Sequence, residues 1–275
     1  MSLQCSLITS VQELEAIRPI WEGLQWHPNA DIDFYLTIIG VRHEVLRPHV
    51  ILVENSGKAV ALVVGRLERL DFDLKIGRKS VDRWKINQIT IIYGGLMGDC
   101  SEPVAKIVID NLLDSLRLGH ADLVSFSYVR VDSPFHRVIE TVPFFCRADG
   151  FRHNDHFNLQ MDTSEEIFLR MSSKHRYNLR RLPKLLHKQY PIGIRRYTSI
   201  EEVSRLCDDA ESVMTGTHLR HLGAGFIKNT ENIKRMELSA QRRWLLAYFL
   251  YVADKPCLLD WLPLSRQPFP AFHRL

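Results

Sequence analysis

Short apolar runs and helical spacings of three and four alternate along this chain, so strands and helices are predicted in turn. The first strand ends at Ile8. Thr9 then reads as an N-cap with Gln12 at N3, a capping box that opens a helix ending near Leu24, and a second helical pattern covers Asp31 to Val41. An apolar strand, Val50 to Glu54, turns at Asn55-Ser56-Gly57-Lys58 into a returning strand, Ala59 to Leu67. After a polar connection come a strand from Gln88 to Tyr93, a glycine-rich loop (Gly94-Gly95-Leu96-Met97-Gly98) and a helix from about Glu102 to Leu118. A strand Leu123 to Tyr128, a short helix near Phe135 to Glu140 and a last strand His156 to Met161 complete the series.

The opening of this series recurs. Tyr197-Thr198-Ser199-Ile200-Glu201-Glu202-Val203 repeats the strand end and the capping box, with Thr198 as cap, and a helix runs on to Met214. A helical pattern from Thr230 to Gln241, an apolar strand Trp244 to Tyr251 and a turn at Ala253-Asp254-Lys255-Pro256 follow in the same order. One capping box means little, but the ordered series appearing twice argues for a duplicated domain. The expected architecture is α/β (α+β), with a mixed central sheet flanked by helices in each copy. The copies are expected at 1–162 and 163–275, the second incomplete.

Charge adds a second asymmetry. From Ile167 to Ile200 there is no acid and there are nine cations, which leaves −5 for the rest of a chain whose formal total is +4. Thr163 and Glu166 form a capping box ahead of this stretch, and Phe168, Met171, His175, Leu179, Leu182 and Leu186 then trace one helical face. Pro183 falls inside that pattern and predicts a kink or two helical segments. A solvated helix face usually mixes signs to gain i,i+4 pairs, so the acid-free stretch points to an anionic partner.

Composition bounds the rest. With 45% hydrophobic and 25% charged residues the chain reads as globular, long enough for one large or two ordinary domains. No basic region followed by an apolar core opens it, and no run reaches the length of a spanning helix, so a cytoplasmic location is expected. Five scattered cysteines form no Cys-x-x-Cys and read as small buried residues. His218 and His221 share a helical spacing but have no further ligand at metal spacing, so no metal is expected. Tyr128 and Asp132, near the end of a strand, are candidate acid or base groups. Trp21, Trp26 and Trp84 read as core or staple residues, and Trp244 as a strand residue.

Met171-Ser172-Ser173-Lys174-His175-Arg176-Tyr177-Asn178-Leu179-Arg180-Arg181 is similar to the Ser-Ser-Lys-x-Arg-x-x-Leu-Arg-Arg helix that opens the second half of duplicated acetyltransferases of the GNAT superfamily. The order of elements, the glycine loop and Gly150-Phe151 also resemble that superfamily, in particular its BioF2-like and CelD-type members and, more distantly, the FemAB aminoacyltransferases. The likeness is specific from about Leu169 to Cys257. It implies transfer of an acyl group from acyl-CoA, such as acetyl-CoA, to an amine, with an amino sugar or an exopolysaccharide precursor as one acceptor class. Backbone amides at a helix start would cradle the donor's phosphates.

On that reading Lys174, Arg176 and Arg180 are expected to meet the donor's phosphates. Gly94, Gly95 and Gly98 are a weaker candidate cradle, because Asp99 and Glu102 bring negative charge there and make the first copy look like a scaffold half. The resemblance identifies no catalytic residue. A FemAB-like transferase using aminoacyl-tRNA, and a non-catalytic module binding nucleic acid or an anionic membrane surface, are the alternatives; oligomeric state is open. Past Cys257 the chain departs from the family: a one-base shift would turn Cys-Leu-Leu-Asp-Trp into the family's Ala-Phe-Trp-Ile-Gly. Residues 258–275 are therefore expected to be out of frame, with the second copy truncated, its activity in doubt and the strand Trp244 to Tyr251 left as an open edge.

Overall fold

The computed structural model describes residues 2–76, 79–143, 146–147, 163–221 and 225–261. The chain divides into two compact units, one built on residues up to Cys146 and one on Arg147–Leu264. The boundary expected near residue 162 and the strand expected at 156–161 lie outside the described residues.

The first unit is a five-stranded mixed sheet in the order β1 (Leu3–Ile8), β2 (Val45–Asn55), β3 (Lys58–Ile76), β4 (Lys79–Gly98), β5 (Leu123–Phe126). Neighbours are antiparallel as far as β4, and β5 runs parallel to β4 through the crossover helix α4 (Glu102–Arg117). In the first half come α1 (Val11–Ala16), α2 (Arg18–Leu24) and α3 (Ile32–Val41), and α5 (Pro134–Thr141) follows β5. The pleat sorts the core: Ile51, Val53, Ala61 and Val63 pack with Val104, Val108 and Leu112 of α4, while Val50, Leu52, Leu62 and Val64 pack with Leu14, Trp21 and Tyr35. Trp21 donates its indole N–H to Ala30 O at 2.7 Å and Tyr35 its hydroxyl to Gly65 O at 2.6 Å, so both large rings are buried with their polar atoms satisfied.

The second unit opens with α6 (Ser164–Arg170) and α7 (Ser173–Gln189). Its three-stranded antiparallel sheet runs β6 (Ile192–Tyr197), β7 (Ala247–Val252), β8 (Lys255–Trp261). A helix α8 (Val203–Thr215), the short α9 (His218–His221) and α10 (Thr230–Gln241) lie between β6 and β7 in sequence. Tyr197, Phe249, Leu206, Cys207 and Met236 form its core.

The two units share one three-strand pattern, an antiparallel pair joined through helices and followed by a tight hairpin. Leu3 opposes Asn55 and Ile8 opposes Val50; in the second unit Ile192 opposes Val252 and Tyr197 opposes Ala247. Both following turns have positive φ at both central residues, Ser56 and Gly57 in one and Ala253 and Asp254 in the other, the twist a two-residue hairpin favours. The ladder shifts register between Val53 and Glu54 and again between Leu250 and Tyr251. Ser56 N–H donates to Ser2 O at 3.2 Å, and Ala253 N–H to Pro191 O at 2.9 Å.

The structure corrects several expectations. The helix cap sits one residue later than expected in both units, on Ser10 with Glu13 and on Ser199 with Glu202, because each serine gives its amide and its hydroxyl to the glutamate three residues on. The polar connection after Leu67 is strand: β3 and β4 continue as a two-stranded ribbon in which Leu70 opposes Ile86 and Phe72 opposes Trp84, with Asp71 against Lys85 between them. Its period-2 alternation of apolar and charged residues was masked by the charges, and Trp84 is an exposed ribbon residue, not a core one. The helical break falls at Met171, where Ser172 caps a new helix, and Pro183 lies inside α7. Residues expected as that helix's apolar face, among them Leu179, Leu182 and Leu186, are exposed. Trp244 lies outside β7, which is central and not an edge, since β8 pairs along it as far as Trp261. Cys146 and Cys257 are exposed. Of the residues expected to be out of frame, 262–275 lie outside the described residues.

Candidate functional site

In the first unit the chain opens a wedge where the parallel pair of β4 and β5 ends. β4 and β5 pair from Gln88 with Leu123 to Ile91 with Phe126, and the Ser127 amide closes the ladder on Ile91 O at 2.9 Å. Beyond this point β4 bulges: Gly65 opposes Ile91 and Val63 opposes Leu96, so Ile92 to Gly95 stand against Val64. A bulge withdraws backbone groups from the ladder and splays the strand from its neighbour. Tyr93 projects at the bulge, its ring 4.5 Å from His27 and 5.3 Å from Tyr128, both edge-on. His27 caps the following turn by accepting the Asn29 amide at Nδ1 (3.1 Å), and burial lowers its pKa to about 4, so the ring is neutral. Trp26 donates its indole N–H to Leu96 O at 3.1 Å and ties the same segment to β4.

Gly94, Gly95 and Gly98 therefore lie in β4 and not in a loop between strand and helix. Packing explains them. A Cβ on Gly94, whose φ is +81°, would stand 2.7 Å from the His27 Cβ, and one on Gly98 would stand 2.3 Å from Val60 O.

The start of α4 behind the wedge is ill suited to an anion. Asp99 accepts the Ser101 amide at 2.8 Å and its hydroxyl at 3.1 Å, Glu102 stands in the first turn, and Pro103 has no N–H to offer. The negative charge anticipated from Asp99 and Glu102 thus occupies the place where a phosphate would bind.

Tyr128 and Asp132 both have left-handed backbones, φ +63° and +62°, which costs a non-glycine residue on the order of 1 kcal/mol or more. Tyr128 is off the end of β5 and exposed beside the wedge, whereas Asp132 belongs to the turn before α5, its carbonyl accepting from Arg137 at 2.7 Å.

In the second unit the cations of α7 are unevenly employed. Arg176 donates to Leu169 O at 3.0 Å and to Met171 O at 2.6 Å, closing the C-terminal carbonyls of α6, and Arg180 stacks 4.8 Å above the Phe168 ring. Lys174 is exposed on the first turn of α7. His218 and His221 fall on α9, and no cluster of three or more metal-binding side chains occurs among the described residues.

A polar cluster not anticipated from the sequence lies at the core's edge. The Tyr197 and Tyr251 hydroxyls both donate to Asp209 Oδ2, their oxygens 2.7 Å apart, and Arg205 stands 3.9 Å from the same carboxylate. Desolvation raises both phenol pKa values, and Asp209 raises them further. Tyr251 and Arg205 line a groove of about 310 Å³ along β6, with Arg195 and Asp254. Tyr197, Asp209 and Tyr251 come from β6, α8 and β7, so no spacing along the chain announces them.

No family model and no curated protein matches this chain. Solved structures do resemble it. FemX aligns at 13% identity over 91% of this chain and 57% of its own, with a TM-score of 0.48. The ribosomal-protein-alanine N-acetyltransferase of Brucella melitensis biovar Abortus 2308 aligns at 12% identity over 57% of this chain and 100% of its own (TM-score 0.33). The glucosamine-6-phosphate N-acetyltransferase of Arabidopsis thaliana aligns at 11% over 57% and 100% (TM-score 0.33).

Proposed function

We propose that the chain is an acyltransferase of the GNAT type, moving an acyl group from acyl-CoA to an amine. The observation that carries the reading is the wedge between β4 and β5. The ladder stops at Ile91 and Phe126, β4 turns its backbone groups out of the sheet at Ile92 to Gly95, and a crossover helix begins behind them. Such an opening takes an extended amide-bearing chain edge-on, as an added strand would be taken, and leaves a thioester carbonyl among fixed backbone dipoles.

The first unit has this architecture without a phosphate cradle, so its wedge is read as the scaffold copy of an opening whose donor-binding counterpart belongs to the second copy. The repeated three-strand pattern supports a second copy as the donor half, within domains at 1–162 and 163–275. Lys174, with the remaining guanidinium N–H groups of Arg176 and Arg180, is the proposed phosphate contact, and acetyl-CoA the simplest donor. An amine on a sugar or envelope precursor is the proposed acceptor, as in the BioF2-like and CelD-type proteins that the α7 sequence resembles.

Calorimetric titration of the full chain with acetyl-CoA tests this. A saturable heat is expected, weakened at least about tenfold by Lys174→Ala, the loss typical of one charge-assisted hydrogen bond. Saturable binding of aminoacyl-tRNA with none of acetyl-CoA would replace the reading by a tRNA-dependent transferase.

A further inference from the structure

The outer part of α7 carries two opposed surfaces, one of leucines and one of cations, with Arg181 also 5.9 Å from the Tyr177 ring centre. Leu179, Leu182 and Leu186 recur at three and four and are 46%, 51% and 39% exposed. Arg181, Lys184 and Lys188 repeat that spacing two positions later, which turns them to the other side of the helix. No residue of α7 is buried, and the helix has no acid to neutralise its cations. Leaving three leucines in water is unfavourable by roughly 25 cal/mol per Å² of apolar surface, so the helix is built for a partner that takes the leucines as well as the charge.

We propose that α7 docks on an anionic lipid surface, lying in the plane of the bilayer. The leucines enter the boundary of the acyl chains, and Arg181, Lys184 and Lys188, on the upper side of the helix, extend their long stems back toward the layer of lipid phosphates. Charge complementarity selects this occupant. A nucleic acid satisfies the cations but leaves the leucine face in water, and a second copy of the chain buries leucines but leaves the opposite, cationic face without a counter-charge. Tyr177 and Tyr190 near the helix ends, both exposed, are suited to the headgroup layer. Neither the leucines nor these three cations belong to the proposed donor site, so the two readings stand or fall separately.

Co-sedimentation of the full chain with phosphatidylcholine vesicles, with and without phosphatidylserine, is the test. Binding is expected only to the serine-containing vesicles and declines as salt is added. Each of Arg181→Gln, Lys184→Gln and Lys188→Gln weakens it about fivefold, the equivalent of about 1 kcal/mol per cation. Leu182→Asp with Leu186→Asp abolishes it, while circular dichroism and the melting curve confirm an intact fold. The proposal is overturned if the leucine variant sediments like the parent. It is equally overturned if the chain binds duplex nucleic acid but no vesicle, or if the leucine changes convert a dimer to a monomer in a chain that never sediments.

Discussion

The Tyr197 and Tyr251 hydroxyls lie 2.7 Å apart and both donate to one oxygen of Asp209, so two strands and a helix are joined at a single carboxylate. Hydrogen bonds to a charged acceptor contribute about 1.5 to 3 kcal/mol each. Tyr251→Phe should therefore lower the stability of the second unit by about that amount. Asp209→Ala should cost more, because it leaves both phenols without their acceptor at the core's edge. Urea unfolding followed by tyrosine absorbance checks both.

The same cluster sets an alkaline limit. Both phenols have folded pKa values above the ordinary value of about 10. Above that pH the unfolded chain loses protons that the folded chain retains, so their contribution is fully present below about pH 10 and is lost as pH rises through the folded values. A urea midpoint that falls above pH 10 in the parent, and falls less in Tyr197→Phe, is the expected result.

Acid acts on the first unit. His49 is fully buried and, like His27, has a pKa lowered to about 4, for His49 by burial first and then by Arg47 and His120. Between about pH 6.5 and 4 the unfolded chain binds protons that the folded chain refuses, so stability falls as pH falls across that window. His49→Leu should flatten this dependence, because it removes a buried ring that must otherwise stay neutral. Thermal melts at pH 7, 5.5 and 4.5 separate the two proteins.

Two glycines of β4 are constrained by contact. Gly98→Ala forces a Cβ to within 2.3 Å of the Val60 carbonyl at a φ of +79°, and Gly94→Ala drives one into His27. Both should destabilise by about 1 to 3 kcal/mol, Gly98→Ala more, since backbone yields less readily than a side chain. Differential scanning calorimetry gives the order.

Pro183 sits within α7, where proline costs a helix about 3 kcal/mol. Because α7 buries nothing, Pro183→Ala should raise amide protection across the helix with little change in the global melting temperature. Hydrogen exchange read by mass spectrometry resolves the helix separately from the sheet.

What the sequence made legible follows from periodicity. The apolar runs at Val50–Val53 and Ala61–Val64, the turn at Ser56-Gly57 and the spacing in α4 placed the sheet and its crossover helix, because burial of a repeated face leaves a repeated pattern. The ribbon from Leu70 to Ile86 escaped notice since its apolar positions alternate with charges and no second layer demands a longer apolar run. The β4 glycines read as a loop because glycine marks both a turn and a close approach of backbone, and only the position of His27 and Val60 tells them apart. Tyr197, Asp209 and Tyr251 were invisible for a different reason. Their association is made by tertiary folding, and each residue taken singly has an ordinary local role.

The twice-built three-strand pattern has a consequence for how the chain reaches this structure. Strands β1 and β6 present the same pairing frame to β2 and β7, with the same turn and the same register shift. A β1 that is still unpaired with β2 when β7 has been made can thus be captured by β7 without a register penalty, a misassembly to which repeated elements are prone. The side chains at the end of the strand oppose it: Ile8 sits over Val50, whereas Tyr197 needs the small Ala247 opposite and Asp209 within reach of its hydroxyl. Exchange of strands would strand that carboxylate without one of its two phenols. Fidelity of pairing in this chain therefore rests on side-chain size and a buried proton donor, because backbone geometry alone does not distinguish the two partners.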